Sequence, residues 1–408
     1  KIADIWLRQT PGTDVPLGLE MCRVILEEDM LDRQFIEERT EGFAEFEESL
    51  SRLSSADASR ITGIAPELLR EAARLYARCG PSSIIYSMGI TQHSHGVDNI
   101  FALANLAMMT GNIGKPSSGI NPLRGQNNVQ GSCDMGALPN LLPAYQAINN
   151  DELRGKFEKA WGEALPDKPG LTVVEMMNAA GRGEIQAMYI MGENPAVSDP
   201  DISHVIEALK SLDFLVVQDI FLSETAALAH VVLPATSGLE KDGTFTNTER
   251  RVQRFRKAIE PVGESRPDWM IISDLAARMG YGDQFCYRHP SQIMDEASAL
   301  SPSYGGISYQ RLEGDGLQWP CPQPDHPGTA YLHKGQFTRG RGKFNLVDYR
   351  PSMELPDEEY PFILTTGRVL CHYHTGTMTR KVGDLNILRP GELVEINPQD
   401  ARSLGIED

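Results

Sequence analysis

Residues 187–233 read AMYIMGENPAVSDPDISHVIEALKSLDFLVVQDIFLSETAALAHVVL. Ala187 to Met191, Phe214 to Gln218 and His230 to Leu233 are short apolar runs bounded by turn residues, the length and composition of buried strands. Between them, Ile202 to Leu212 has helical spacing, Glu224 to Ala229 reads as a short helix, and Gly192-Glu193-Asn194-Pro195 forms a loop. Strands alternating with helices imply a parallel sheet, because parallel neighbours need a crossover rather than a hairpin. The fold class is therefore α/β.

The rhythm extends outward. Ser83 to Met88 reads as a strand, Gly89 to Gly96 as a polar loop, and Asp98 to Met109 as a helix ending at Thr110-Gly111. Leu19 to Glu28 and Ala65 to Ala77 carry apolar residues at helical spacing, so the first eighty residues are mostly helical. Residues 301–358 are rich in Pro, Gly and Asp and read as a surface connection. A strand from Pro361 to Thr365 opens a further domain, in which Leu393 to Asn397 reads as a strand and Pro398 to Leu404 as a short helix. The chain begins at Lys1 inside an apolar segment and stops before another strand completes a sheet, so both ends read as cut.

At 408 residues the chain is expected to form two or three domains, since single cores stop growing near ~250–300 residues. The net charge of −18 repels phosphate backbones and anionic lipid, which argues against nucleic acid or a membrane surface as partner. The longest apolar stretches, such as Phe101 to Met109, fall short of the ~20 residues a spanning helix needs. The six cysteines show neither Cys-x-x-Cys nor Cys-x-His spacing, so they define no zinc or iron–sulfur site and read as reduced thiols, which favours the cytoplasm.

Ligands of open parallel sheets collect at the carboxyl ends of the strands, where loops present unpaired N–H groups. Those places hold Gln92, His93 and His95, then Gly192, Glu193 and Asn194, then Gln218 and Asp219, and finally Ala235, Thr236 and Ser237. Such residues also serve as turn formers and helix caps, and histidines there also serve by bonding nearby backbone. No glycine-rich nicotinamide fingerprint or phosphate-binding P-loop is present. The densest stretch, residues 121–136 (NPLRGQNNVQGSCDMG), sets Arg124 among neutral amides and glycines. It reads either as a polar surface loop or as backbone approaching a ligand whose carboxylate suits the guanidinium fork.

Residues 88–92 (MGITQ), 110–114 (TGNIG) and above all 121–135 closely resemble the catalytic subunit of formate dehydrogenases, within the enzymes that use a bis(molybdopterin guanine dinucleotide) cofactor. In the same order follow residues 189–195, 217–221, 232–234, 242–247, 268–269, and 366–368 through His372 to Thr377, so the resemblance covers nearly the whole chain. It implies part of an α/β domain over 1–123, an α/β guanine-dinucleotide-binding domain over 124–350, and the start of a C-terminal β-barrel domain over 351–408.

The resemblance further implies that Arg124 orients the formate carboxylate, and that Gln92 and Gln126 contact the pterin. Gly192, Glu193, Asn194, Ser198, Gln218, Asp219, Ala235 and Asp268 would line the guanine dinucleotide arm, an Asp suiting the adjacent N–H donors of guanine. Arg368, Val369 and His372 would approach the second pterin. The implied reaction interconverts formate and carbon dioxide at molybdenum or tungsten, with iron–sulfur or flavin electron-transfer subunits as partners. The metal-ligating Cys or selenocysteine and a 4Fe–4S cluster would lie before Lys1, so 1–408 alone would be inactive. Three alternatives stand beside it: a nitrate- or polysulfide-reductase type of molybdopterin enzyme, a non-catalytic scaffold like the large iron–sulfur subunit of respiratory complex I, and a free-standing nucleotide-binding module.

Overall fold

The computed structural model describes residues 2–407, which fall into two compact units. The first comprises residues 1–135, 244–254 and 297–363, and the second 136–243, 255–296 and 364–408. Each unit thus draws on segments far apart in sequence.

In the first unit, α1 (Asp14–Glu27), α2 (Pro66–Arg78) and α3 (Gly96–Met109) account for the helical reading of the N-terminal region. Proline at the start of α2 needs no hydrogen-bond partner, and Glu67 and Arg78 stand at the ends that suit their charges. Val15, Leu19, Cys22 and Ile25 of α1 join Ala102, Leu106 and Met109 of α3 in one buried cluster. Strand β1 (Ser83–Tyr86) runs parallel to β2 (Gly119–Pro122), pairing Ser83 with Gly119 and Tyr86 with Pro122, and α3 supplies the crossover.

The segment 301–358 is not a surface connection. Tyr304, Ile307, Leu312, Phe344 and Val347 are buried, and Phe344 stacks on Phe46 with ring centroids 5.2 Å apart. Weak periodicity conceals them, because they enter the core from single 3₁₀ turns (Pro302–Tyr304 and Tyr309–Leu312) and irregular backbone rather than from one face of a long element. The loop expected at Gly89–Gly96 begins instead with a helical turn, Met88–Thr91, closed by a hydrogen bond from Gln92 N to Met88 O at 2.8 Å. A single turn is too short to show a helical period.

In the second unit, β3 (Ala187–Met191), β4 (Phe214–Asp219) and β5 (Val231–Pro234) form the expected parallel sheet with β4 in the centre. Helices α4 (Val173–Gly181) and α5 (Ile202–Lys210) bury Met177, Ala180, Val205 and Leu209 against Leu215 and Val217 of β4. The short helix expected at Glu224–Ala229 contracts to the 3₁₀ turn Ala226–Leu228.

Residues 361–365 and 393–397 form no strands, and no closed barrel appears among the described residues. Leu364 and Val394 are 84% and 86% exposed, and neither segment has a ladder partner among the described residues. Apolar alternation alone cannot make a strand without a neighbour to satisfy its N–H and C=O groups. The helix Pro398–Leu404 does form, since helices bond within themselves.

Candidate functional site

Arg124 lies two residues past the end of β2. Leu123 N donates to Tyr86 O at 2.7 Å and Ser87 Oγ to Leu123 O at 3.0 Å, so the chain leaves both strand ends together. Arg124 N donates to Thr248 Oγ1 at 3.2 Å, and Arg124 Nε to Gln130 Oε1 at 2.9 Å. Neither Nη atom has a hydrogen bond or ion pair among the described residues, and the side chain is exposed. Burial pushes the Tyr86 phenol above its ordinary pKa, while the Arg124 charge opposes that rise.

The amide-rich stretch runs from a loop into the short helix Val129–Asp134. Asn128 adopts a left-handed conformation, φ 59°, and its Oδ1 accepts from Thr246 N at 2.9 Å. A Cβ on Gly131 would stand 2.1 Å from that same oxygen, so the close approach needs glycine. Gln126 is exposed and makes no side-chain hydrogen bond among the described residues, and the same holds for Gln92, which caps the Met88–Thr91 turn. His93 Nε2 donates to Gly89 O at 2.9 Å, the backbone-bonded alternative weighed above. No group of three or more His, Cys, Asp or Glu residues suited to a metal occurs among the described residues.

The second unit gathers its polar groups at the carboxyl ends of β3, β4 and β5. Gln218 is fully buried, accepts from the Tyr189 hydroxyl, and donates through Nε2 to Asp268 Oδ1 at 2.7 Å. The other Asp268 oxygen pairs with Lys241, whose ammonium also donates to Thr236 O at 3.0 Å. Asp219 accepts from Ile220 N at 2.6 Å and Phe221 N at 3.2 Å. Burial raises the Asp219 pKa, those two N–H groups oppose the rise, and the charge of Asp268 adds to it. Ala235, buried, donates its N–H to Asp219 O at 3.0 Å.

Asn194 is buried and committed to the fold. Its Oδ1 accepts from Thr225 N and Oγ1 at 3.0 and 2.7 Å, and its Nδ2 donates to Glu224 Oε2 and Thr377 Oγ1 at 2.8 and 2.9 Å. Ser198 Oγ donates to Glu193 Oε1 at 3.0 Å, and Gly192, at φ 64°, has open space where a Cβ would stand. In the last segment, His372 Nε2 donates to Arg389 O at 3.0 Å, which leaves Nδ1 to accept from Thr379 Oγ1 at 3.2 Å. Arg368 Nη1 donates to His374 Nδ1 at 3.0 Å, and Val369 is half-buried.

Thus Gln218, Asp219, Ala235 and Asp268 come together, Asn194 and Ser198 share the neighbouring strand end, and Gln92, Arg124 and Gln126 belong to the other unit. Sequence reading missed Lys241, Tyr189, Gln130 and Asp134 as parts of these networks. Lys241 precedes the quoted Asp242–Asn247 motif, and a lone cation beside an acidic cluster was the available signal.

A heterocycle-bearing dinucleotide asks for mixed donors and acceptors at strand ends, and the second unit supplies them. Among the described residues the Thr236 hydroxyl, beside the Lys241–Asp268 pair, is buried without a hydrogen-bond partner, and so is His374 Nε2. Orphaned buried polar atoms are costly unless a ligand or water satisfies them, so these residues fit such a group.

Residues 1–278 match the family described as molybdopterin oxidoreductase, and residues 362–408 the molydopterin dinucleotide binding domain. Among curated relatives, the F420-dependent formate dehydrogenase subunit alpha of Methanocaldococcus jannaschii is 54% identical over all of this chain and 60% of its own length. Formate dehydrogenase H of Escherichia coli is 41% identical over all of this chain and 58% of its own length. The chain thus spans about 60% of the length of these relatives. Acetylene hydratase from Pelobacter acetylenicus matches structurally with a TM-score of 0.71 at 21% identity, over all of this chain and 60% of that one, and so shares the fold. The chain belongs to the molybdopterin oxidoreductase family.

Proposed function

We propose that this chain is part of the catalytic subunit of a formate dehydrogenase, holding a bis(molybdopterin guanine dinucleotide) cofactor with molybdenum or tungsten. The observation that carries the reading is Arg124, an exposed guanidinium with both Nη groups unpaired, standing past the carboxyl ends of a parallel strand pair within a loop of amides. Formate is the smallest carboxylate, and two parallel N–H···O bonds from one guanidinium fix its plane as well as its position. The curated relatives named as formate dehydrogenases support this substrate over that of a nitrate or polysulfide reductase, and over a scaffold role.

In this reading Gln92 and Gln126 offer unengaged amides to the pterin. Gly192, Glu193, Asn194, Ser198, Gln218, Asp219, Ala235 and Asp268 shape the guanine dinucleotide cradle, while Arg368, Val369 and His372 approach the second pterin. Asn194 and His372 act by fixing backbone, since their polar atoms are taken up within the protein. The cofactor, when bound, supplies the two-electron redox chemistry that converts formate to carbon dioxide or the reverse. The metal ligand and a 4Fe–4S cluster belong to sequence outside residues 1–408, and the electrons pass to iron–sulfur or flavin subunits. No helix among the described residues is long and apolar enough to cross a membrane, and the free cysteines support a cytoplasmic location.

Arg124→Lys in the complete enzyme is expected to lower kcat/KM for formate about 100-fold, the worth of a lost charge-assisted bond. Molybdenum or tungsten content and guanine content should not change. Steady-state kinetics with metal analysis checks both, and undiminished turnover would reject the assignment.

A further inference from the structure

Asp134 is a buried carboxylate 10 residues beyond Arg124, at the end of the short helix Val129–Asp134 that also carries Gln130, and neither composition nor the cofactor cradle gives it a task. Its Oδ2 accepts from the Tyr304 hydroxyl at 2.5 Å and from Trp319 Nε1 at 2.7 Å, and its Oδ1 accepts from Gln130 Nε2 at 2.7 Å. Gln130, also buried, passes the connection on, for its Oε1 accepts from Arg124 Nε at 2.9 Å. Tyr304 and Trp319 are themselves held in the first unit, their rings stacked with centroids 6.4 Å apart. A buried anchor thus reaches an exposed guanidinium through one amide.

The chemistry fixes the direction of every bond in this series. A carboxylate only accepts, so the Gln130 amide turns its NH2 to Asp134 and its carbonyl oxygen to Arg124. That oxygen takes the Nε–H of Arg124. A guanidinium can grip a carboxylate side-on, through Nε and one Nη, or end-on, through both Nη atoms. With Nε engaged, only the end-on edge remains, and it is the unpaired one. An arginine side chain otherwise loses much rotamer freedom on binding, so a guanidinium already held in place binds its ligand more tightly.

We infer that Gln130 and Asp134 are positioning residues, which hold Arg124 so that it presents its two Nη groups, and not its Nε edge, to a planar carboxylate substrate. The inference rests on the carboxylate-binding role proposed for Arg124. Neither residue touches the substrate.

The test is a double-mutant cycle in the complete, cofactor-loaded enzyme. Gln130→Met keeps the volume of the side chain and removes the amide. Its readouts are KM and kcat for formate, and the calorimetric Kd of nitrate, a planar anion that carries oxygens at similar spacing to a carboxylate. Gln130→Met is expected to raise the KM and the nitrate Kd about tenfold with little change in kcat, the effect of one lost hydrogen bond. In an Arg124→Lys background the same substitution should change neither by more than about twofold, because lysine has no Nε–H for Gln130 to hold. Trp319→Phe, which removes one donor to Asp134 but keeps a ring, must show the same dependence on Arg124, and it serves if Gln130→Met fails to load cofactor. Equal effects in both backgrounds, or none in either, overturn the inference. If Arg124→Lys itself leaves formate and nitrate binding unchanged, the role of Arg124 falls first, and that result is distinct from the others.

Discussion

At the residue scale, Asp219 is a partly buried carboxylate whose charge is costly to the fold. Burial raises its pKa above the ordinary carboxylate value, so folding favours the protonated form. That contribution is present below the unfolded pKa and lost as pH rises through the raised folded one, so at neutral pH the ionised group weighs against the fold. Asp219→Asn keeps an oxygen for Ile220 N and Phe221 N while removing the charge. The cofactor-free protein carrying it should melt about 2 °C higher at pH 7.5, with the gain vanishing in acid below the carboxylate range, and the complete enzyme should retain less guanine. A gain that persists unchanged in acid would show that charge burial is not the cause. Asp219 and Arg124 are legible in the sequence as candidates, because strand ends and a cation among amides are local patterns. The partners of Asp134 are not, since Tyr304 and Trp319 lie 170 and 185 residues away and no local pattern reports such a bond.

At the scale of elements, the three-stranded sheet of the second unit is legible in the sequence, because short apolar runs between turn residues mark strands whether or not both faces are covered: β4 is largely buried, while Tyr189 and Met191 of β3 and Val231 and Val232 of β5 stay exposed. In the C-terminal segment the helix Pro398–Leu404 forms but the two strands do not, because strand-like composition in 361–365 and 393–397 carries no information about whether a partner strand stands beside it. Likewise the single turn Met88–Thr91 lies below the length at which helical period can be seen. Where the sheet does form, β4 bears the load, with neighbours on both edges and Leu215 entirely buried beneath α4 and α5. Leu215→Ala should cost ~2–5 kcal/mol through lost burial and the cavity left behind. Denaturant unfolding of the purified chain measures this, and a loss under ~1 kcal/mol would mean that the site collapses freely around the gap.

At the scale of the whole molecule, what matters is that each unit is assembled from separated stretches of chain. The core built on α1 and α3 is completed by Phe344 and Val347, and Phe344 packs its ring on Phe46 and edge-on to Phe43, both at 5.2 Å between centroids. Its N–H also bonds Glu41 O at 3.0 Å, beside the parallel pairing of Thr40–Glu41 with Gly342–Lys343. The N-terminal helices therefore depend on residues some 300 positions later, at a loop-closure cost that grows only with the logarithm of the separation. Phe344→Ala should cost ~3–5 kcal/mol and should be felt where its cluster lies. Amide hydrogen exchange should accelerate in α1 around Cys22 and Ile25, which share that cluster, while β4 of the second unit, whose Leu215 and Val217 belong to another, keeps its protection. Mass spectrometry of exchanged peptides reads both regions in one experiment. Equal acceleration in the two would mean that the units open as one cooperative body, and an unchanged α1 would mean that the late segment only covers a core already complete without it.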